Sequence, residues 1–155
     1  MAKSLIGVVS DTHGLVRPEL LEALEGVDLI IHAGDVCKPE VLAELSAIAP
    51  VTAVRGNMDG HPLNMRLRAT EVVEVGGVML YALHDLSRLN LDPAVASMAA
   101  VIHGHTHRPD VHREGGVLYL NPGSAGARRS APPSIALLHI EDGELRPEIK
   151  VLVEE

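Results

Sequence analysis

Short apolar runs alternate with helix-like segments over the first third of the chain. Each run is uninterrupted, which is typical of strands that are buried on both faces of a sheet. Pro18 and Pro39 stand between the runs, where proline commonly begins a helix, and apolar residues follow each at helical spacing. This β-α-β-α-β order predicts a parallel sheet with right-handed crossovers. The three predicted strands are residues 5–9, 29–31 and 51–54.

After residue 60 the pattern changes to strand-like segments that are joined by short turns. Gly76-Gly77, Gly115-Gly116 and Asp142-Gly143 are dipeptides typical of β-hairpins. A mostly antiparallel second half does not fit into one sheet with the first half. The pattern therefore predicts two sheets packed face to face, with helices outside them. The elements predicted here are strands at 71–75, 78–83, 99–103, 117–120, 135–140 and 145–151, and a short helix near 92–97.

The composition of the chain limits the kinds of partner that it can bind. The chain has 155 residues, which fits a single domain over residues 1–155. It contains no Trp or Phe, and its net charge of -8 argues against extended nucleic-acid binding and against an anionic membrane surface. The single cysteine, Cys37, excludes an internal disulfide and fits a reducing compartment. Without a signal peptide or a membrane span in the sequence, we expect a cytoplasmic protein.

Residues that can bind a metal follow the predicted strands. His105 and His107 flank Thr106 just after the strand at 99–103, and in extended backbone such a pair points to one side. Three earlier strands also end at carboxylate, amide or imidazole side chains, and ligands gather beyond the carboxyl ends of parallel strands. The candidate metal ligands are Asp11, His13, Asp35, Asn57, His84, His105 and His107.

This ligand set indicates a class of metal and a class of reaction. Carboxylate, amide and imidazole ligands without thiolate suit a divalent ion such as Mn²⁺, Fe²⁺, Zn²⁺, Ni²⁺ or Mg²⁺. Seven ligands are too many for one such ion and fit two, which would lie about 3.5–4 Å apart and share a bridging carboxylate. Such a pair stabilises in-line displacement at phosphorus and makes hydroxide from a bridging water near neutral pH.

The motifs together resemble those of the calcineurin-like metallophosphoesterase superfamily. They are Asp11-x-His13, Gly34-Asp35, Gly56-Asn57-x-Asp59, His84 and Gly104-His105-x-His107, in this order. The compact length and Asn121-Pro122-Gly123-Ser124 are similar to the small YfcE-like phosphodiesterases of bacteria and archaea. The resemblance implies a four-layer α-β-β-α sandwich of two mixed sheets flanked by helices.

The resemblance also implies how the ligands divide between two divalent ions. Manganese is the first expectation, and nickel, iron, zinc or magnesium are alternatives. Asp35 would bridge the two ions, while Asn57, His84 and His105 would complete the second site. The first site would be formed by Asp11, His13, Asp35 and His107.

Two positions depart from the superfamily pattern. Met58 stands where the superfamily usually has the histidine that assists the leaving group, and Met cannot donate a proton there. His61 is either its substitute or a plain loop histidine, and we take His61 and the motif residue Asp59 as candidate catalytic residues. Asp85 follows His84 where the superfamily has glycine, and it either supports a ligand or is solvated.

The remaining histidines are interpreted as structural. His32 and His103 lie within strands, where a packed or supporting role is favoured over direct ligation, and His112 and His139 are expected to be structural or exposed. Cys37 is interpreted as an ordinary small side chain, with a thiol near the metal as the alternative.

A loop and a pair of arginines also have two interpretations each. The loop 121–124 either shapes the site, with its N–H groups close to an anion, or is an ordinary turn. Arg128 or Arg129 could clamp a phosphate, or both could be solvated.

The sequence thus predicts a metal-dependent hydrolase that cleaves a small phosphodiester substrate by in-line attack of a metal-bridging hydroxide. A phosphomonoesterase or a cyclic-nucleotide phosphodiesterase would use the same metals. A non-catalytic interaction protein like the retromer subunit with this fold is the alternative from another class. An exposed sheet edge or helix face could also support a homodimer.

Overall fold

The computed structural model describes residues 3–126 and 131–152. Its first sheet has five strands in the order β10-β9-β1-β2-β3. The predicted parallel strands pair as expected, with Ile6 opposite Leu29 in the first pair, and an antiparallel hairpin extends the sheet beyond the first strand. The strands are β1 (Lys3–Val9), β2 (Leu29–His32), β3 (Val51–Ala53), β9 (Ser134–Glu141) and β10 (Glu144–Val151).

The second sheet also has five strands, in the order β4-β5-β6-β8-β7. Its three central strands are parallel to one another, and an antiparallel strand lies at each edge. Parallel strands in both sheets explain why ligand-bearing loops can gather at one end of the molecule. The strands are β4 (Thr70–Val75), β5 (Val78–Leu83), β6 (Ala100–Ile102), β7 (Asp110–Glu114) and β8 (Val117–Asn121).

Aliphatic side chains fill the space between the sheets. Ile6 and Ile31 of the first sheet pack with Leu80, Ile102 and Leu118 of the second, and all five are fully buried. Each side chain of this size contributes roughly 1.5–3 kcal/mol on burial, so this layer is a principal source of stability. The prediction of two sheets packed face to face is confirmed.

Three helices cover the outer face of the first sheet. They are α1 (Pro18–Ala23), α2 (Pro39–Ser46) and α3 (Leu63–Arg66). Pro18 and Pro39 stand at the first helical positions, as predicted, and Leu20, Leu45 and Leu63 point into the apolar layer beneath the helices. The sequence pattern did not predict α3, which has only four residues.

The outer face of the second sheet is covered by the long segment that joins β5 to β6. Its 3-10 helix (Leu86–Arg88) and the following turns place Leu86, Leu89 and Met98 over Tyr81 and Val101. None of the helices among residues 3–126 and 131–152 is long and apolar enough to cross a membrane.

The prediction of a short helix near residues 92–97 is wrong, because the structure has only turns there. The Asp92 side chain accepts hydrogen bonds from the N–H groups of Ala94 and Val95, as at the start of a helix. Ser97 then has a φ of 63°, which is left-handed backbone and ends the helical geometry after a single turn.

Candidate metal centre

Five of the six parallel strands deliver candidate ligands to one end of the molecule. Asp11 and His13 follow β1, while Asp35 and Asn57 follow β2 and β3. His84 follows β5, and β6 leads to His105 and His107. Backbone hydrogen bonds join these loops side by side: the Asp11 N–H donates to the Gly34 carbonyl at 2.9 Å, and the Gly104 N–H donates to the His84 carbonyl at 3.0 Å.

A first group of candidate ligands consists of Asp11, His13 and His107, whose ligand atoms lie within 4.8 Å of one another. The Nε2 atoms of the two histidines are 3.3 Å apart. The Oδ1 atom of Asp11 lies 3.2 Å from His107 Nε2 and 3.7 Å from His13 Nε2. One carboxylate oxygen and two imidazole nitrogens thus face a common point.

A second group consists of Asp11, Asp35 and His84, again within 4.8 Å. The Oδ2 atom of Asp35 lies 3.3 Å from His84 Nε2 and 3.8 Å from His13 Nε2, so it lies between the two groups. His105 joins this side of the site, with its Nδ1 atom 3.3 Å from His84 Nε2. The two groups are therefore adjacent.

Asp11 belongs to both groups, and its Oδ1 atom, 3.2 Å from His107 Nε2 and 3.9 Å from His84 Nε2, is the most informative atom of the site. It is buried and has no hydrogen-bond partner among the described residues. A buried carboxylate oxygen without a partner is costly, and structures rarely retain one without an ion or a water beside it. The donor set around it contains carboxylate and imidazole only, which fits divalent metal ions. The residues present therefore fit the metal that the sequence predicts.

The backbone at the candidate ligands is unusual. Five of the eight non-glycine residues with positive φ in the described part of the chain are candidate ligands. Left-handed backbone is disfavoured for residues with a Cβ, and it persists where surrounding structure holds it in place, commonly at functional sites. The five are Asp11 (55°), His13 (49°), Asp35 (58°), His105 (76°) and His107 (67°).

Hydrogen bonds orient the side chains of the second group. The Nδ1 atom of His84 donates to the Ala33 carbonyl at 2.7 Å, which leaves Nε2 free to face Asp35. Although burial opposes it, the hydrogen bond with Asp35 raises the pKa of His84. Burial also opposes ionisation of Asp35, but the hydrogen bonds from His84 and from the Met58 N–H lower the pKa of that carboxyl to about 2. Asp35 is therefore a carboxylate at neutral pH.

The two candidate catalytic residues differ in their surroundings. Asp59 is buried, and its carboxylate accepts hydrogen bonds from the N–H groups of Asp35, Cys37 and Gly56 at 2.7–3.0 Å. It therefore joins the loop after β2 to the loop after β3. His61 lies on the exposed loop that leads into α3 and is not part of either ligand group.

Met58 and Asn57 lie at the exposed rim of the site. The Met58 side chain is 58% exposed, and its backbone N–H donates to Asp35 Oδ1 at 2.8 Å. Asn57 is also exposed and lines a groove together with His84 and His105. An apolar side chain thus occupies the rim position where a proton donor was expected from the superfamily pattern.

The loop 121–124 holds the metal-site loops in position. The Asn121 side-chain amide donates to the Gly104 carbonyl and to Thr106 Oγ1, both at 3.1 Å. The Ser124 hydroxyl donates to the Asp11 carbonyl at 2.8 Å. These contacts favour the interpretation that this loop shapes the site. Arg128 and Arg129, the candidate phosphate clamp, lie outside the described residues.

The histidines interpreted as structural are buried or remote from the two groups. His32 is buried, accepts the Gly34 N–H at Nδ1 and contacts Thr12 Oγ1 through Nε2 at 3.0 Å. His103 is also buried. His112 stacks on Tyr119, and His139 lies 3.5 Å from a carboxylate oxygen of Glu148.

Cys37 lies close to the first group, with Sγ 3.8 Å from His13 Nδ1. Burial, together with the carboxylates of Asp59, Asp35 and Asp11, raises the pKa of the Cys37 thiol to about 11. The thiol is therefore protonated at neutral pH, and this favours the interpretation as an ordinary side chain although Cys37 lies near the first group.

Comparison with known proteins identifies the family. A family model of the calcineurin-like phosphoesterase superfamily domain matches residues 5–143, and the chain belongs to this family. It is 38% identical, over 94% of this chain and 91% of the relative, to a probable metallophosphoesterase of Methanothermobacter thermautotrophicus. The resemblance that the motifs indicated is therefore confirmed.

Two solved structures show the same fold. An archaeal protein described as a novel phosphodiesterase is 25% identical, with a TM-score of 0.74, over 94% of this chain and 99% of that one. Vacuolar protein sorting 29 from Cryptosporidium parvum is 22% identical, with a TM-score of 0.76, over 96% of this chain and 97% of that one. The family and the donor set together define a metal-dependent phosphoesterase.

Proposed function

We propose that the protein hydrolyses small phosphodiesters with two divalent metal ions, manganese first among them. The observation that carries the proposal is that Asp11 belongs to both ligand groups and that its buried Oδ1 atom lacks a partner among the described residues. The archaeal phosphodiesterase with the same fold supports the phosphodiester as substrate. We further propose that residues 1–155 act as one domain and that the protein works in the cytoplasm.

The ligands would divide between two adjacent sites. Asp35 is proposed as the bridge because its Oδ2 atom lies between His13 and His84. Two bound ions would lower the pKa of a water between them and offset negative charge at phosphorus. The proposed first site is Asp11, His13, Asp35 and His107, and the proposed second site is Asp35, Asn57, His84 and His105.

The remaining residues position the ligands and leave the rim of the site open to solvent. Asp59 is proposed to position Asp35 rather than to touch substrate, because its carboxylate is occupied by three backbone N–H groups. Met58 offers no proton to a departing alkoxide, so substrates whose leaving group needs little protonation are favoured. His61 remains the candidate for a proton donor from the exposed loop.

The test is hydrolysis of bis(p-nitrophenyl) phosphate against p-nitrophenyl phosphate. Protein stripped with EDTA is assayed before and after resupply with Mn²⁺ or Mg²⁺, and metal content is counted independently. We expect faster turnover of the diester, none without metal, and greater recovery with Mn²⁺ than with Mg²⁺. Asp35→Asn is expected to retain less than a tenth of wild-type activity, while Asp142→Asn, in an exposed hairpin turn, serves as the matched control.

Three outcomes would contradict the proposal in different ways. Activity that resists EDTA would exclude metal dependence. Faster turnover of the monoester would instead assign a phosphomonoesterase. A protein that binds two ions and cleaves neither compound would favour the non-catalytic interaction protein.

A further inference from the structure

A groove of about 640 Å³ opens beside the second ligand group. Volumes of this order are typical of small-molecule sites. His84, His105 and Asn57 line it on the side of the candidate metal centre, and Arg55 and Arg88 line it as well. The groove is thus continuous with the reaction site and extends beyond what a single phosphoryl group would fill.

Arg55 is held in a fixed position in this groove. Its Nη1 atom donates to the backbone carbonyls of Leu67 at 3.1 Å and Asn64 at 3.4 Å. A guanidinium carries five N–H groups, so the three on Nε and Nη2 remain for a ligand. Because the side chain is already anchored, less rotamer entropy is lost when an anion binds to it.

Arg88 brings a second positive charge from the opposite sheet. It is exposed and ends the 3-10 helix that follows His84 and Asp85. Neither Arg55 nor Arg88 lies within 4.0 Å of a carboxylate in residues 3–126 and 131–152. The Asp85 carboxylate in the same groove is engaged by the N–H and hydroxyl groups of Ser87.

The overall charge of the chain makes this pair of cations notable. The chain has 21 acidic and 13 basic residues, which would repel an anionic substrate in general. The groove lining that the structure describes carries two arginines against the one carboxylate of Asp85, which feels the charge of Arg88 without forming an ion pair within 4.0 Å, so the local excess of charge is positive. Arginine binds phosphate through charge-assisted hydrogen bonds with matching geometry.

We propose that the groove is a subsite for a second phosphate group, carried by the part of the substrate that extends beyond the scissile diester. This inference rests on the proposed phosphodiesterase function and names its substrate class, a small diester that bears an additional phosphate. The described residues that line the groove include no Phe, Tyr or Trp, and its two imidazoles, His84 and His105, are candidate metal ligands, so little aromatic surface is left for a nucleobase to stack on. Recognition is therefore by charge rather than by base.

The test compares two substrates that differ only in the second phosphate. They are the p-nitrophenyl ester of thymidine 5′-phosphate and the same ester with a 3′-phosphate. We expect the 3′-phosphate to lower KM about tenfold, the factor that corresponds to about 1.4 kcal/mol and lies near the lower range for a charged hydrogen bond. Arg88→Gln is expected to remove most of this advantage while leaving KM for the singly phosphorylated ester and kcat for both within about twofold.

Controls separate charge recognition from other effects. Arg146→Gln changes an exposed arginine on β10, far along the chain at the opposite edge of the first sheet, and is expected to behave as wild type. An abasic analogue of the doubly phosphorylated ester is expected to keep the tenfold advantage. If the second phosphate no longer lowers KM in the abasic analogue, the protein recognises the base rather than the charge, and the proposal is overturned.

A binding measurement keeps this inference separate from the proposed function. Calorimetry on metal-free protein compares thymidine 3′,5′-bisphosphate with thymidine 5′-monophosphate, and we expect tighter binding of the bisphosphate that Arg88→Gln abolishes. If neither ester is hydrolysed but this difference persists, the subsite stands and the phosphodiesterase proposal fails. If both esters are hydrolysed with equal KM and Arg88→Gln affects them alike, the subsite is excluded and the phosphodiesterase proposal stands.

Discussion

The carboxylate of Asp85 lies beside the ring of His105, with Oδ2 3.8 Å from Nε2. The other ring nitrogen, Nδ1, lies 3.3 Å from His84 Nε2 on the side of the candidate metal centre. Asp85 is itself fixed, because its Oδ1 atom accepts hydrogen bonds from the N–H and hydroxyl groups of Ser87. At 3.8 Å the contact is electrostatic rather than a hydrogen bond, and we expect the charge of Asp85 to support His105 as a ligand.

Asp85→Asn should therefore weaken the proposed second metal site. Asparagine retains an oxygen for Ser87 but removes the negative charge beside Nε2. We expect the affinity for the second ion to fall about tenfold, at the low end of the range for such supporting residues. Titration calorimetry with Mn²⁺ on EDTA-stripped protein would measure both sites. The affinity for the first ion should change little.

Asp92→Asn is the matched control, since Asp92 also accepts backbone N–H groups in the same long segment but does not contact a candidate ligand. Its metal titration should overlay that of the wild type. Equal second-site affinity in Asp85→Asn and wild type would exclude the supporting role.

Asp59→Asn should lower stability, because its carboxylate accepts three backbone N–H groups in a buried position. An amide cannot accept all three and would turn its own N–H groups toward one of them. We expect a loss of about 1–3 kcal/mol in the free energy of unfolding, measured by urea denaturation of metal-free protein. Asp35→Asn should instead abolish activity with a smaller change in stability. The reverse pattern would make Asp59 a catalytic residue.

Met58→His should restore a proton donor at the rim of the site. The side chain is 58% exposed, so the substitution should leave the fold intact. We expect the rate for phenyl diesters, whose leaving group needs protonation, to rise about tenfold or more, with little change for p-nitrophenyl diesters. Met65→His, at a position 78% exposed on α3, is the control. Equal acceleration of both substrate types would show that the lack of a proton donor at position 58 is not what limits turnover of poor leaving groups.

The stability of the protein should fall in mild acid through His32. Burial, with a smaller contribution from His84, lowers the pKa of His32 to about 3 from an ordinary value of 6.5. The unfolded chain therefore binds a proton below pH 6.5 that the folded protein does not bind until about pH 3, so unfolding becomes easier as the pH falls through this window. From pH 7 to pH 5 this one group should cost about 2 kcal/mol.

His32→Asn provides the comparison for that prediction. Asparagine can still accept the Gly34 N–H that His32 Nδ1 accepts at 3.1 Å. Urea denaturation of metal-free protein between pH 5 and pH 7 should show a shallower pH dependence in the variant, whatever its stability at pH 7. Parallel curves for the two proteins would show that His32 is not the responsible group.

The strands and the order of the candidate ligands could be predicted because each depends on a few neighbouring residues. An uninterrupted apolar run followed by a polar residue marks both a buried strand and the edge at which it ends. This reasoning brought Asp11, Asp35 and His105 toward one place from three separate segments. It failed for residues 92–97, where Asp92 begins a helical turn that Ser97 then ends with left-handed backbone.

Other features depend on contacts between segments that are far apart in the sequence. The left-handed backbone at Asp11 and His107 has only a weak local signal, since neither residue is glycine and most Asp and His residues have negative φ. The contact between Arg55 and the carbonyls of Asn64 and Leu67 appears only once the loop after β3 has folded back on itself. The sequence shows that Asp85 replaces the superfamily glycine, but it does not show that the Asp85 carboxylate lies beside His105.

The candidate ligands come from both sheets, and this division has a mechanical consequence. Asp11, Asp35 and their neighbours follow strands of the first sheet, whereas His84 and His105 follow strands of the second. Bound ions would fasten one sheet to the other, and the aliphatic side chains between the sheets would set the alignment of the two halves. If one sheet slid over the other by a fraction of an ångström, the distances between the ligands of the first sheet and those of the second would change, while the geometry within each set stayed the same. Metal affinity would then report how the two sheets are aligned. Substitutions between the sheets, far from any ligand, would change it.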